Sequence, residues 1–351
     1  MDKIKYYPIL KWKSGEKSAL KSLTTESSKI SPIIELVDYD NVDNIIDSFA
    51  ELNNITKFYI DTSNIEDVEN DYKEKIIDAA TKKGMPLFPI FTFDEFTIHA
   101  DRFLDICSDF LVKIPIPHDF EQDGYDSIFG SLFDWKVKNQ ISLNVLLDAG
   151  LVIDRRTANL QFSELRSVIS KYLRQYKFDN VIVCLTSFPD DISKLPAGGE
   201  EHYIRYDIKI FARIVETMDE ELKPLLSFSD YGVTKFTETD IDFSKLRHGI
   251  LPKVRYTTSE SYWVLKGQRD RITKELVRNY KTMAQIVVNS KNYYGEDFSY
   301  GDKEIFERAQ GHKIDNPEVQ VGHGNHFNWV AIAVNHHISV VTNELSNLFD
   351  S

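Results

Sequence analysis

The feature that most limits the folds open to this chain is a pattern repeated eight times in its first 230 residues. A short apolar segment ends in a polar residue placed two positions after an apolar one. The polar residues are Lys11, Glu35, Asp61, Thr92, Lys113, Asp148, Ser187 and Asp230, and their apolar partners are Ile9, Ile33, Tyr59, Ile90, Leu111, Leu146, Leu185 and Phe228. Successive side chains of a strand point to opposite faces, so the two members of each pair share a face. Eight parallel strands closed into a barrel would gather all eight polar groups at the carboxyl-terminal mouth, where (β/α)8 enzymes keep their chemistry.

The strands are expected at 6–12, 30–36, 57–61, 86–92, 110–116, 143–148, 181–187 and 224–230. Segments with helical spacing lie between them, such as Val42, Ile45, Ile46, Phe49 and Leu52, or Phe162, Leu165, Val168, Ile169 and Leu173. This alternation marks parallel α/β construction. An open doubly wound sheet is the competing topology, but the run Lys13 to Lys17 after the first strand holds a single glycine and no dinucleotide fingerprint. The chain has 351 residues, and a barrel takes about 250. The expected organisation is therefore a (β/α)8 TIM-like barrel over 1–250 with an elaborated C-terminal extension over 251–351. In the extension, 253–265 reads as a strand or hairpin, 269–290 as a helix, and 292–324 as a polar and aromatic stretch. The last helix, 327–348, spaces Val330, Val334, Ile338, Val341 and Leu345 by threes and fours, and this apolar face calls for the barrel or a second subunit as its partner. Functional groups concentrate on long loops, here expected at 117–134, with His118, Asp119 and Glu121, and at 189–206, with His202 and Arg205.

A net charge of −13 argues against a broad nucleic-acid surface, which needs cations to displace counterions. Cys107 and Cys184 form no metal or redox motif, and Cys184 is assigned to the outward face of its strand as a packed thiol. No signal-peptide core precedes the first strand and no apolar run reaches ~18 residues, so a cytoplasmic protein without membrane contact is expected.

The opening Tyr6-Tyr7-Pro8-Ile9-Leu10-Lys11, followed by Gly15-Glu16 and Ala19-Leu20, resembles the start of the prokaryotic and phage beta protein family. Further marks are Pro32-Ile33-Ile34-Glu35, Arg255-Tyr256 leading to Lys266-Gly267, and the tail from Trp329 to His336-His337. Lys266 stands where the family pattern has an arginine. The resemblance implies a setting of phage–host conflict and supplies no reaction.

The mouth carries the candidate chemistry. Glu35, Asp61, Asp148 and Asp230 facing one cavity with Lys11 and Lys113 would be costly to bury unless paired, for example Lys11 with Glu35 and Lys113 with Asp148. In one reading Glu35, Asp61 and Asp148 hold Mg2+ or Mn2+ while the lysines neutralise a phosphate, which suits a phosphorylated or nucleotide substrate; Lys13, Thr92 and Ser187 would add contacts. In another, the apolar neighbours of Lys113 lower its pKa and make it a Schiff-base nucleophile of a lyase. Locally, the stretch from Phe58 to Ser63 with Val112 to Pro115 is similar to transaldolase-type aldolases, although those enzymes separate the two segments by three strands rather than two. A third reading is a network of ion pairs that merely closes the barrel. A fourth is a non-catalytic module that recognises a phage or host protein through its loops and tail, with self-association through the last helix. Outside the ring, His323 and His326 before that helix suit an anion or substrate lid with Asn325 as cap, and Arg255, Tyr256, Trp263 and Lys266 suit either an aromatic and basic binding surface or a covered hairpin.

Overall fold

The computed structural model describes residues 5–65, 71–117, 122–234 and 251–350. Every expected segment contributes a strand: β1 (Ile9–Lys11), β2 (Ile33–Glu35), β3 (Phe58–Asp61), β4 (Leu87–Thr92), β5 (Asp109–Pro115), β6 (Ser142–Leu151) and β7 (Asn180–Thr186). β8 (Glu200–Ile204) departs to a second sheet, and β9 (Leu226–Ser229) is the eighth barrel strand. Neighbours pair in parallel in the order β1-β2-β3-β4-β5-β6-β7-β9. The ring closes where Tyr7 N donates to Phe228 O and Ile9 N to Asp230 O, both at 2.8 Å. The chain thus forms the parallel α/β barrel that its sequence implied.

Helices α1 (Ser14–Lys21), α2 (Val42–Ala50), α3 (Tyr72–Lys82), α4 (Phe93–His99), α5 (Gln122–Asn139), α6 (Arg155–Gln175) and α7 (Tyr206–Thr217) connect the strands. Asn41 and Asp154 cap α2 and α6 by accepting from the backbone N–H groups of Asp43 and Thr157, at 2.8 Å each. The apolar stripes of both helices are buried, as their spacing requires: Ile45, Ile46 and Phe49 in α2, and Phe162, Leu165, Val168, Ile169 and Leu173 in α6. Helix α5 fills much of the expected loop 117–134, while His118, Asp119 and Glu121 lie outside the described residues.

A separate apolar cluster fills the barrel interior, made of Tyr7, Ile9, Ile33, Tyr59, Ile90, Leu111, Leu146, Ile182, Cys184 and Tyr231. Six of the eight apolar partners face inward as expected. In the last two strands the facing is reversed: Ile182, Cys184 and Tyr231 point in, whereas Leu185 and Phe228 point out into the main core. Cys184 is accordingly an interior residue and not an outward one.

Beyond residue 250 the chain builds a roof. The boundary expected near that position falls outside the described residues. β10 (Lys253–Thr257) and β11 (Ser261–Lys266) form the expected hairpin, and β8 adds antiparallel to β11. A second hairpin, β12 (Gln268–Arg269) with β13 (Leu276–Arg278), and α8 (Tyr280–Val288) replace the single helix expected over 269–290. Ile272, near the start of that expected helix, is instead 90% exposed between β12 and β13. α9 (Tyr300–Gln310) lies within the polar stretch, and α10 (His326–Asp350) is the final helix.

Helix α10 takes the place of the eighth barrel helix, between α1 and α7. Its Val330, Val334, Ile338, Val341 and Leu345 are buried in the main core, so the apolar face is satisfied within the chain. Gly15 of α1 is needed there, since a Cβ would lie 2.7 Å from the Val330 side chain. At the other end Phe349 packs on Phe211 of α7, and the Lys5 ammonium sits 4.2 Å from the Phe349 ring.

Candidate functional site

The mouth collects Lys11, Glu35, Asp61, Lys113 and Asp148, each next in facing to a residue of the interior cluster. Sequence reasoning missed one member, Tyr231. Its hydroxyl donates to Asp148 Oδ2 at 2.7 Å and accepts from Lys113 Nζ at 2.9 Å, while Lys113 Nζ also lies 3.2 Å from Asp148 Oδ2. The signal for Tyr231 was present but lay one residue beyond the segment taken as the strand. Asp148 accepts from Gly150 N at 3.0 Å, at the irregularity near the end of β6, and Asp61 accepts from Ser63 N at 2.9 Å, just after β3, so each carboxylate is fixed by the backbone two residues on.

The electrostatics of this ring are unequal. Glu35 is only 6% exposed, and burial followed by the Asp61 carboxylate pushes its pKa up to about 7 against the opposing pull of Lys113 and Lys11. Burial pulls the Lys113 ammonium down, but Asp148, Asp61 and Glu35 outweigh it and hold the group above its usual range. Lys113 is therefore a fixed cation, contrary to the Schiff-base expectation of a lowered pKa. Burial, then Asp148, raise Tyr231 well above the ordinary phenol value, so it remains a hydroxyl. Among the described residues no group of three or more His, Cys, Asp or Glu is disposed to hold a metal ion.

Three other members of the expected ring serve the fold. Thr92 caps α4, accepting from Glu95 N at 3.3 Å in a capping box with the Glu95 carboxylate. Ser187 faces outward, where its hydroxyl accepts from Asp207 N at 2.9 Å. Asp230 also faces outward and is completely buried: Tyr6 Oη donates to Oδ1 at 2.8 Å, Gly232 N to the same oxygen at 2.9 Å, and His337 Nε2 lies 3.0 Å from Oδ2. Burial alone would raise this carboxyl, yet His337, the Gly232 N–H and the Tyr6 hydroxyl outweigh it and hold it low.

The outlying candidates separate as well. Arg255 and Tyr256 are neighbours on β10 and so face opposite ways. Tyr256 is buried, donating to Asp302 Oδ1 at 2.8 Å, and Trp263 is buried in the same roof cluster, which is the covered hairpin and not the aromatic binding surface. Lys266 donates to the Ser193 and Leu195 carbonyls at 2.8 and 2.6 Å. Arg255 lies at the rim of the mouth, 6.0 Å over the Phe188 ring, and lowers His326 together with Lys253, after partial burial. Lys13 is exposed just ahead of α1, and His323 is exposed with its carbonyl accepting from Trp329 Nε1 at 2.9 Å. Asn325 Oδ1 does cap the last helix, accepting from Asn328 N at 3.2 Å.

His336 and His337 point two ways on α10, as expected. His337 reaches Asp230 and, through Nδ1 at 3.0 Å, the Thr257 hydroxyl. His336 reaches Asp302 Oδ2 and the Thr257 carbonyl, both at 2.7 Å. A sealed polar tie thus runs from barrel strand β9 through α10 to the roof and α9.

A closed parallel barrel with a charged mouth defines the chain as a (β/α)8-barrel protein. Solved structures with a similar outline include the 3-dehydroquinate dehydratase of Aquifex aeolicus VF5, at 11% identity and TM-score 0.38 over 67% of this chain and 92% of that one. FabK of Thermotoga maritima matches at 11% identity and TM-score 0.36 over 97% and 95%. Among curated proteins none matches. The chain belongs to the beta protein family, whose model matches residues 6–343.

Proposed function

We propose that the barrel mouth is an acid–base active site in which Glu35 moves a proton to or from a small polar substrate. The observation that carries this reading is the position of Glu35, buried beside Asp61 yet within the influence of two lysines, with a pKa of about 7. A group poised near the working pH can both take and give a proton, which is what a general acid–base catalyst requires. Lys113, fixed as a cation by Asp148 and Tyr231, would stabilise negative charge developing on the substrate. On the resemblance drawn from the sequence, the setting is phage–host conflict.

Titration of Glu35 by carboxyl-detected NMR tests the reading, combined with turnover of a panel of nucleotides and sugar phosphates by the wild-type protein and by Glu35→Gln. The expected result is a midpoint near pH 7 and turnover lost in the variant with its fold retained. A Glu35 midpoint at the ordinary value of about 4.3 would refute it.

A second reading, recognition of a phage or host protein, draws on Ile272, which stands 90% exposed between Arg271 and Thr273. Ile272→Asp would abolish such recognition in a pull-down from phage-infected cells and leave turnover unchanged.

A further inference from the structure

Among the described residues five arginines have an Nε that is shut off from solvent and unbonded: Arg205, Arg255, Arg269, Arg278 and Arg308. In four of them the terminal amino groups are engaged. Arg205 grips Glu344 with both, at 2.7 and 2.8 Å, Arg278 meets Glu200 at 2.9 Å, Arg308 meets Glu304 at 2.6 Å, and Arg269 donates to Lys274 O at 3.0 Å. Arg255 is the exception, since among the described residues its guanidinium makes no hydrogen bond and no ion pair, and it lies 6.0 Å from the centre of the Phe188 ring. Arg255 is half-buried and, of its guanidinium, only Nε is shut off from solvent, so the terminal amino groups are open to an arriving anion.

The surroundings favour such an anion. Glu16, 4% exposed in the first turn of α1, feels Arg255, Lys13 and Lys11, and His326 feels Arg255 and Lys253. Three cations, Arg255, Lys13 and Lys11, therefore act on the Glu16 carboxylate in a chain whose net charge is −13. Phe188 follows β7 and Glu16 follows β1, the two strands that flank β9, so the cluster sits on the rim of the mouth.

We propose that Arg255 anchors the phosphoryl group of the substrate at this rim. The proposal rests on the reading of the mouth as an active site and names its substrate class, a small phosphorylated molecule. A planar guanidinium matches two phosphate oxygens at once, and the lysines add point charge that a doubly charged phosphoryl group uses better than a single carboxylate does.

The test is calorimetric titration with inorganic phosphate and, separately, with acetate at matched ionic strength, alongside melting curves. The proteins are the wild type, Arg255→Gln, Lys13→Ala and Glu35→Gln. Phosphate is expected to bind the wild type and Glu35→Gln alike and more tightly than acetate. Binding should weaken about tenfold or more in Arg255→Gln and by a smaller factor in Lys13→Ala, whose exposed side chain is not needed for folding. Without phosphate, Arg255→Gln should keep a cooperative melting transition, because the guanidinium holds no protein hydrogen bond or ion pair. Equal affinity for phosphate and acetate, or unchanged phosphate binding in Arg255→Gln, would each overturn the proposal. An ordinary Glu35 titration together with intact, Arg255-dependent phosphate binding would remove the acid–base reading and leave the anchor standing.

Discussion

Asp148 and Asp230 open the same three-residue pattern, aspartate, any residue, glycine, at the ends of two barrel strands. Each accepts a bond from the glycine N–H two residues on, and both glycines take positive φ, 65° for Gly150 and 60° for Gly232. Their fates differ because they face opposite ways. Asp148 looks into the mouth, with a side chain 11% exposed, and shares Lys113 and Tyr231. Asp230 looks outward, is sealed, and is tied to Tyr6 and His337. The same local chemistry serves a site on one side of the barrel wall and a structural clasp on the other. Facing therefore decides function here more than residue type does.

Three substitutions would break or sharpen that contrast. The largest effect is expected from Asp302→Ala, at the far end of the sealed tie. It strips partners from Tyr256, Ser299 and His336 together, and should cost about 3–5 kcal/mol in urea denaturation. A loss under about 1 kcal/mol would show the tie to be incidental. Glu35→Gln on the mouth side should act in the opposite direction. The folded value of about 7 lies above the ordinary one, so the folded state keeps a proton that the unfolded chain releases. Wild-type stability should accordingly decline as pH rises from about 4 to about 7, and the variant should lack that decline, gaining on the order of 3 kcal/mol at pH 8. Parallel stability curves for the two proteins across that range would contradict the assignment. The smallest change belongs to Tyr231→Phe, which removes the hydroxyl between Lys113 and Asp148 but leaves their ion pair. It should cost about 1 kcal/mol, whereas a cost comparable to that of Asp302→Ala would mean that the mouth is as rigidly built as the clasp.

The sequence made the barrel legible because its first six strands alternate cleanly, with Ile9 and Lys11, or Leu111 and Lys113, marking one face each. It did not settle the last two. Every residue of β7 is buried, as is usual for a parallel strand covered on both sides, so its sequence carries no contrast from which to read facing. That ambiguity moved Ser187 and Asp230 into the mouth on paper and left Tyr231 out. The expected helix over 269–290 failed for a related reason. Ile272 and Leu276 have helical spacing, but Asp270 accepts from the N–H groups of Ile272 and Thr273 and starts a turn instead. The pairing of Lys113 with Asp148 was foreseeable from charge and position. The unpartnered state of Arg255 was not, because it depends on which acceptors the folded roof leaves out of reach.

The placement of α10 bears on how firmly the roof is held. The roof is spliced into the barrel wall between β9 and the helix that completes it, and His337 and Asp230, 107 residues apart in sequence, join the two sides of the splice. A domain hung from one end of a chain can swing on a single tether. The tie from Asp230 through His337 to Thr257 instead fastens β10, the strand that carries Arg255, to the barrel wall at the end of β9.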